Sequence, residues 1–337
     1  MIHATKLPKV LSQQRHPVLQ RITVAWLVAL VLMGVLPFCW PGIWPKPLAN
    51  LDALSQPPSR LHWLGTDPFG RDVLADILAG AQQLITVGAP AAVLASTLGT
   101  GLGAAAGYWH NHRLRVRKAA WLILALGLGG TLITSPAALP WWLLGIVAGT
   151  GLVYLTPALR ASWPLPLDQL VQSAAAFLTS VPRLVIVVVL AAAQPPSKPW
   201  LIFLLVLTCW PGTARLVRAQ IAQLRSQPYI EAGRAAGYSD FRLLRYHLLP
   251  NAWPALRAVL PLNLSLCLAL QTTLAFLGIG LPPDQPNWGR TLANARLEPT
   301  AWWVILAGVL PLAFTIGALH TLTLRRKAVH TIQELTS

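Results

Sequence analysis

Long apolar runs, separated by short polar and proline-containing stretches, dominate the chain. A membrane-spanning helix needs about 20 mostly apolar residues to cross a hydrocarbon core of about 30 Å. The pattern therefore predicts an all-α polytopic membrane protein with about eight transmembrane helices. The predicted spans are 22–40, 84–109, 119–135, 140–157, 184–193 with a few preceding residues, 200–217, 256–280 and 301–322.

Three glycines recur at a four-residue spacing in the second of these runs. They are Gly99, Gly103 and Gly107. This spacing places all three on one face of a helix, where the lack of side chains lets a second helix approach closely. We therefore predict that this face packs against another helix.

The composition excludes two other classes of protein. Only 11% of the residues are charged and 55% are hydrophobic, whereas a soluble domain carries roughly a quarter charged residues. A soluble enzyme and a disordered chain are both disfavoured. The net charge of +16 would suit nucleic acid if the chain were soluble, but the apolar spans would then need a soluble core to bury them. We expect membrane lipid as a partner and no nucleic acid.

The distribution of lysine and arginine predicts how the spans are oriented. With the N-terminus inside, 20 of the 26 basic residues fall in cytoplasmic segments and six in external loops. Basic residues accumulate on the cytoplasmic side, so the count favours both termini inside. The predicted segments are a cytoplasmic N-terminus (1–21), a first transmembrane helix (22–44), an external loop (45–83), a membrane domain (84–322) with a hairpin at 110–160 and a cytoplasmic loop at 219–255, and a cytoplasmic tail (323–337).

Motifs of catalysis and metal binding are absent from the sequence. No Gly-x-x-x-x-Gly-Lys-Ser/Thr phosphate loop, His-Glu-x-x-His or Gly-x-Ser-x-Gly occurs, so we expect neither ATP hydrolysis nor a catalytic residue in this chain. Cys39, Cys209 and Cys267 lie far apart in apolar runs, which favours buried hydrophobes over a disulfide or a zinc site. His110 and His112 form a weak candidate metal pair, and an interfacial position explains them more simply. We predict no metal site.

The cytoplasmic loop 219–255 carries a pattern typical of two short helices at a bend. Residues 229–236 favour a helix with Glu231 near its positive N-terminal end. Gly237 suits the left-handed conformation that closes such a helix. An exposed, preformed helix of this kind fits a groove on a partner protein.

A second short helix is predicted after the bend. Ser239 or Asp240 can cap its N-terminus, and Pro250 ends or kinks it because proline lacks a backbone N–H. Taken alone, a glutamate on a basic loop such as Glu231 is most often a surface ion pair, here with Arg234, three residues further on.

The same loop resembles a known family motif. Glu231-Ala-Gly, three residues, Gly237, nine residues and His247-Leu-Leu-Pro250 resemble the EAA loop of permeases in ATP-binding cassette (ABC) importers. That loop reads Glu-Ala-Ala, three residues, Gly, nine residues, Ile-x-Leu-Pro. The sequence departs from it at Gly233 and at His247. In the dipeptide, oligopeptide and nickel branch the stretch commonly ends His-Ile-Leu-Pro-Asn, so His247 favours that branch.

Further stretches resemble this branch in family order. Residues 64–73 resemble the opening of its permease domain, residues 210–218 the approach to the EAA loop, and residues 276–281 with 286–289 the external end of its penultimate span. Family members usually have six spans, so residues 110–160 look like an inserted hairpin. The family's usual acidic C-terminal ending is also missing.

The resemblance assigns roles to two sets of residues. The predicted ATPase-coupling residues are Tyr229, Glu231, Ala232, Gly237, Asp240, His247, Leu249 and Pro250. The predicted structural motif of the external loop comprises Gly65, Thr66, Asp67, Gly70, Arg71 and Asp72. From the residues alone, the polar positions of this loop are open to two readings, an acidic ligand site or a turn followed by a helix N-cap, and the second is simpler.

The resemblance also implies an assembly and a location. We expect a multi-pass permease in a bacterial inner membrane, paired with a second homologous permease. Two cytoplasmic ATPase subunits would bind ATP and magnesium, while this chain binds no cofactor. A periplasmic or lipid-anchored substrate-binding protein would deliver the solute.

The solute is the least determined feature. Di- or oligopeptides are the default, and nickel or a metal–opine chelate is the alternative. The external loops are not rich in His or Met, which disfavours a bare metal ion. Candidates for the substrate path are Asn263, Gln271, Thr272 and Trp288, although the first three are also typical of hydrogen bonds between helices.

A membrane enzyme that modifies lipids is the rival from another class. It would need a cluster of acids or histidines at a membrane interface, and only Asp67, Asp72 and Asp76 approach one.

Overall fold

The computed structural model describes residues 17–39, 49–111, 115–117, 144–149, 162–193, 195, 197–280, 282 and 285–336. Its helices are α1 (Pro17–Cys39), α2 (Val73–Gln83), α3 (Ala89–Trp109), α4 (Leu167–Ser180), α5 (Arg183–Ala192), α6 (Lys198–Arg225), α7 (Pro228–Ala235), α8 (Asp240–Leu243), α9 (Leu249–Leu256), α10 (Val259–Phe276), α11 (Trp288–Asn294) and α12 (Trp302–Thr336), with short helical turns at Leu51–Ala53 and 144–149.

The predicted all-α membrane fold is confirmed. One small exception is an antiparallel pair of strands, β1 (Arg115–Arg117) and β2 (Ser162–Pro164), in which Arg117 pairs with Ser162. Wider, five-residue helical turns occur at Leu84–Gly88, between α2 and α3, and at Leu244–Leu248, between α8 and α9.

Several described helices are long and apolar enough to cross a membrane. They are Val73–Trp109, Lys198–Arg225, Val259–Phe276 and Trp302–Thr323, and the bent pair α4 and α5 would make a fifth. The apolar part of α1, Arg21–Leu36, is shorter. The predicted spans 119–135 and 140–157 lie outside the described residues except at 144–149, so the count of eight remains a prediction.

Two predicted spans differ in detail from the structure. The span predicted from 84 starts at Val73, because α2 continues through the wide turn into α3. The run around 184–193 is not one helix with its preceding residues: α4 and α5 are bent by 81°. Pro182 explains the break, because the residue before a proline is pushed into an extended conformation, and Val181 has φ −99° and ψ 140°.

One compact unit comprises Met1–Ser96, Pro182–Cys209 and Arg257–Ser337. Its largest apolar core includes Val87, Leu204 and Leu274, all fully buried. Asn263 of α10 donates a hydrogen bond of 2.9 Å to Ser96 within this interior. Trp288 of α11 covers Gly80 of α2 so closely that a Cβ at Gly80 would overlap the indole.

A second compact unit comprises Thr97–Val181 and Trp210–Leu256. The glycine face predicted from the sequence packs here against α6. A Cβ added at Gly99, Gly103 or Gly107 would meet a backbone carbonyl of α6, namely those of Trp210, Ala214 and Arg218 in turn. Helix α4 joins the pair through Val171 and Ala175, which pack with Ala106.

The antiparallel strands β1 and β2 flank the predicted insertion. Arg117 and Ser162 form the pair next to this segment. Before β1 and after β2 in the sequence, the Asn111 side chain accepts the Gln169 backbone N–H at 2.9 Å. The segment 118–161 therefore begins and ends at one place, next to the Arg117–Ser162 pair.

Replacing residues 118–161 with Asn-Gly should leave the second unit folded, because a two-residue Asn-Gly turn closes an antiparallel pair well. The shortened chain should accumulate in membranes at a level within about twofold of wild type, a gap of about 0.4 kcal/mol if accumulation follows folding. Fluorescence-detected size-exclusion chromatography of a C-terminal fusion measures this. Loss of the monodisperse peak would show that 118–161 belongs to the core.

Candidate functional site

Helix α7 forms where the sequence predicts the first helix of the 219–255 loop. Pro228 occupies its first turn, where a missing N–H costs nothing, and Glu231 lies near the positive end. At the other end Gly237 has φ +83°. The Tyr238 N–H bonds the Gly233 carbonyl and the Gly237 N–H bonds the Arg234 carbonyl, which is the Schellman arrangement that ends helices.

The second helix begins as predicted but does not end at Pro250. The Ser239 hydroxyl caps α8 by accepting the Arg242 N–H at 3.3 Å. The chain then passes through the wide turn and continues as α9 to Leu256. A proline ring crowds the carbonyl four residues earlier, which here belongs to Tyr246, inside the wide turn. Of the two predicted effects of Pro250, termination does not occur, and the helix is instead distorted in that turn.

One side chain attaches α7 to the rest of the second unit. Ile230 is fully buried and packs in a cluster with Tyr108, Ile221, Leu243 and Leu248. It lies between two residues of the predicted coupling set, yet the sequence motif does not single it out. Its apolar character beside the polar Glu231 is the signal that indicates an inward-facing position.

The opposite face of α7 is open. Tyr229 is 41% exposed, and Glu231, Ala232 and Gly237 are also exposed. Within the described residues Glu231 makes no ion pair, so the alternative pairing with Arg234 is not formed. The Glu231 carboxylate is thus presented to solvent.

The departure at Gly233 has a packing explanation. A Cβ at this position would lie 2.8 Å from Cδ2 of Leu243 on α8. Leu243 is itself buried, so glycine allows the two short helices to pack closely. An alanine would require the Leu243 side chain to shift.

Aromatic and polar contacts hold the bend between α7 and α9. The Tyr238 ring stacks on His247 at 5.8 Å between ring centroids. The guanidinium of Arg242, on α8, lies 4.5 Å from the centroid of the Tyr238 ring. The Asn251 amide donates to the Tyr229 hydroxyl at 3.1 Å. Of the remaining predicted coupling residues, Leu249 packs against the apolar cluster and Pro250 is exposed, while Asp240 begins α8.

The predicted structural motif folds the loop before α2 in the first unit. Thr66 and Asp67 are fully buried. One Asp67 oxygen accepts the backbone N–H groups of Phe69 and Arg71 at 2.9 and 2.8 Å, and the other accepts the Asn294 amide at 2.9 Å. The motif therefore joins this loop to α11.

The rest of the motif shapes the same turn. Asp72 is the N-cap of α2 and accepts the N–H groups of Leu74 and Ala75. Gly65 and Gly70 have φ +76° and +71°, conformations that favour glycine. Arg71 is partly exposed.

The predicted substrate-path residues lie in the interior of the first unit. Gln271, Thr272 and Trp288 line one cavity of about 10 Å³, roughly the space of a single water. The Trp288 indole donates to the Ile77 carbonyl at 3.0 Å, and the Gln271 side-chain oxygen has no hydrogen-bond partner among the described atoms. Asn263 lies apart from them, on Ser96.

The described residues contain no group of three or more His, Cys, Asp or Glu that could hold a metal ion. His112 lies outside the described residues. His110 lies 3.6 Å from the Asp168 carboxylate, which forms a two-pronged ion pair with Arg218. The Asp168 carboxylate thus connects the start of α4 to α6 through an ion pair.

Comparison with known proteins identifies the family. Residues 141–329, more than half of the chain, match the family described as the binding-protein-dependent transport system inner membrane component. The chain is 30% identical over 303 residues to a putative peptide transport system permease protein of Brucella suis biovar 1, a match that covers 89% of this chain and 82% of that protein. The chain belongs to this family of inner membrane transport components.

Other curated members are similar over most of their length. The oligopeptide transport system permease protein OppC of Mycobacterium tuberculosis is 28% identical over 289 residues, covering 85% of this chain and 81% of that protein. The dipeptide transport system permease protein DppC of Bacillus subtilis is 26% identical over 308 residues, covering 90% and 79%. The family match includes the whole 219–255 segment.

Substituting Ile230 with alanine should loosen α7 from this transport component. Removing a buried isoleucine side chain to alanine costs about 2–5 kcal/mol, so the purified protein should melt several degrees lower, with α7 detached first. Glu231→Gln, next to it on the exposed face, is the control and should leave the melting temperature near that of wild type. Equal effects of the two changes would contradict the buried attachment.

Proposed function

We propose that this chain is a permease subunit of an ATP-driven ABC importer that moves peptides across a bacterial inner membrane. Curated relatives named as peptide, oligopeptide and dipeptide transport permeases support the peptide assignment. The subunit pairs with a second, homologous permease. Two ATPase subunits bind ATP and magnesium, a binding protein delivers the peptide, and this chain itself catalyses no reaction.

The observation that carries the proposal is the two-sided character of α7. Its inner face is held by Ile230 in the apolar cluster of the second unit. Its outer face presents Tyr229, Glu231 and Ala232 to solvent. A short helix attached rigidly on one side and exposed on the other is suited to a groove on an ATPase subunit.

The proposed mechanism is mechanical. Closure of the ATPase pair around ATP displaces α7, and the buried attachment passes the displacement on to α3 and α6. The glycine contacts between these two helices leave little room for compression, so they move together as a rigid body. Such movement switches a transporter between inward- and outward-facing states.

The proposed orientation places both termini and the 219–255 loop in the cytoplasm. The excess of lysine and arginine in the corresponding segments supports it. The loop that contains Asp67 then faces the periplasm, together with α11. A binding protein would meet the permease on that side.

A transport assay in proteoliposomes tests the function. The complete complex, purified with its ATPases and binding protein, should accumulate a labelled di- or oligopeptide only when ATP and magnesium are supplied. Radioactive nickel and a nickel chelate serve as competing solutes. Uptake of the chelate without peptide uptake would transfer the assignment to metal import, and no ATP-dependent uptake of any of them would contradict the importer.

A further inference from the structure

A buried phenol connects the exposed bend to the end of α3. Tyr108, in the last turn of α3, is fully buried. Its hydroxyl donates a hydrogen bond to the carboxylate of Asp240, the first residue of α8. The two residues are 132 positions apart in sequence, so this bond joins elements that the chain does not hold together locally.

The same phenol also contacts α7. The Arg234 guanidinium lies 5.7 Å from the centre of the Tyr108 ring. Its Nε and Nη2 atoms are buried, with no hydrogen-bond acceptor among the described residues. Tyr108 therefore touches both short helices of the bend, one through its ring and the other through its hydroxyl.

An apolar cluster and the Tyr108–Asp240 hydrogen bond join the bend to α3, and they resist different movements. The apolar cluster around Ile230 and Leu248 is non-directional, so it resists separation more than sliding. A hydrogen bond weakens steeply when its angle changes. The Tyr108–Asp240 bond is therefore a directional contact that fixes the position of α8 along α3.

We propose that Tyr108 is a positioning residue for coupling, and that its hydrogen bond to Asp240 makes α3 follow the bend when the ATPases move it. The inference rests on the proposed function of the 219–255 loop and adds a residue that lies outside the EAA-like motif. Without the hydroxyl, α7 and α8 slide against α3, and ATP is hydrolysed without a matching movement of the spans.

Tyr108→Phe tests the bond because it keeps the ring and removes only the hydroxyl. Tyr246→Phe is the matched control: it makes the same chemical change in the wide turn, where the Tyr246 side chain is 64% exposed. In the reconstituted complex, Tyr108→Phe should assemble normally and keep ATP turnover within about twofold, while uptake per ATP falls about tenfold, which corresponds to about 1.4 kcal/mol of lost coupling. Tyr246→Phe should keep the wild-type ratio.

Asp240 variants separate the hydrogen bond from the charge. Asp240→Asn keeps an oxygen that can accept the phenol proton and should retain most of the coupling, whereas Asp240→Ala should lose at least as much coupling as Tyr108→Phe, because it also removes the other interactions of Asp240. The double variant Tyr108→Phe with Asp240→Ala should be no worse than Asp240→Ala alone, because the bond is already lost in that variant. A wild-type uptake ratio in Tyr108→Phe, or parallel loss of assembly and ATP turnover, would overturn the proposal.

Amide hydrogen exchange distinguishes failure of this inference from failure of the proposed function, and it does not depend on the solute. Trapping the wild-type complex with ATP and vanadate should change exchange both in 228–248 and in the last turns of α3. In Tyr108→Phe only the change in 228–248 should persist. No change in the wild type would refute ATPase coupling itself, whereas unaltered propagation to α3 in the variant would refute only the role of Tyr108.

Discussion

Replacing Gly103 with leucine should abolish the accumulation of folded permease. A Cβ at Gly103 would overlap the Ala214 carbonyl of α6, and that atom is backbone, which cannot rotate away. The whole leucine side chain would have to fit into this contact. Overpacking of a well-packed core costs about 1–3 kcal/mol and occasionally more, and the glycine face lies directly against the backbone of α6. We expect almost no monodisperse protein in detergent extracts.

Gly101 supplies a matched control on the same helix. A Cβ there has no atom within 4 Å, so Gly101→Leu should leave expression and the melting temperature near those of wild type. Fluorescence-detected size-exclusion chromatography compares the two variants directly. Similar behaviour of both would show that helix propensity, and not the contact with α6, decides the outcome.

The second large effect is expected from Asp67→Ala. The change leaves three donors without an acceptor in a buried place, the N–H groups of Phe69 and Arg71 and the amide of Asn294. Each unsatisfied buried group costs about 1–3 kcal/mol. We expect the loop before α2 to detach from α11 and the yield of stable protein to fall severalfold or more.

Two further variants define what Asp67 does. Asp52→Ala removes an exposed carboxylate in the same loop and should have no effect on the melting temperature. Asp67→Asn keeps one oxygen for the two backbone donors and should lose less stability than Asp67→Ala. A lipid-modifying enzyme would instead show near-complete loss of activity with unchanged stability in Asp67→Asn.

Residue spacing and helix-capping residues predict those structural features that depend only on residues close together in the sequence. The four-residue repeat from Gly99 to Gly107 locates a helix contact, because such spacing returns to one helix face. The sequence also indicates the helix over 229–236 and its end at Gly237, since glycine alone adopts a φ of +83° without strain. These predictions required no knowledge of the rest of the fold.

Contacts between residues that lie far apart in the sequence cannot be predicted from local spacing. The role of Ile230 follows from side chains on α3 and α6, and the Tyr108 bond reaches across 132 positions to Asp240. The wide turn before Pro250 is a compromise between a proline ring and a helix stabilised by buried Leu244 and Leu248. Hydropathy favoured one span around 184–193 because it does not register the conformational restriction that Pro182 places on Val181.

Polar residues within apolar helices are the least predictable from sequence. Gln271, Thr272 and Trp288 were grouped as candidates for the substrate path, and the structure brings them together around one small cavity. Asn263 instead bonds Ser96. Composition does not distinguish a polar side chain that faces a solute from one that forms a hydrogen bond with a neighbouring helix.

Capture of the ATPase subunits on the exposed face of α7 tests the central claim most directly. The tagged chain is purified from its native membrane in mild detergent as wild type, as Glu231→Arg and as Gln223→Arg, which introduces the same side chain at an exposed position of α6. We expect ATPase subunits to co-purify with wild type and with Gln223→Arg, and Glu231→Arg to lose them while remaining folded. Full retention of the ATPases by Glu231→Arg, or their absence from the wild type, would contradict it.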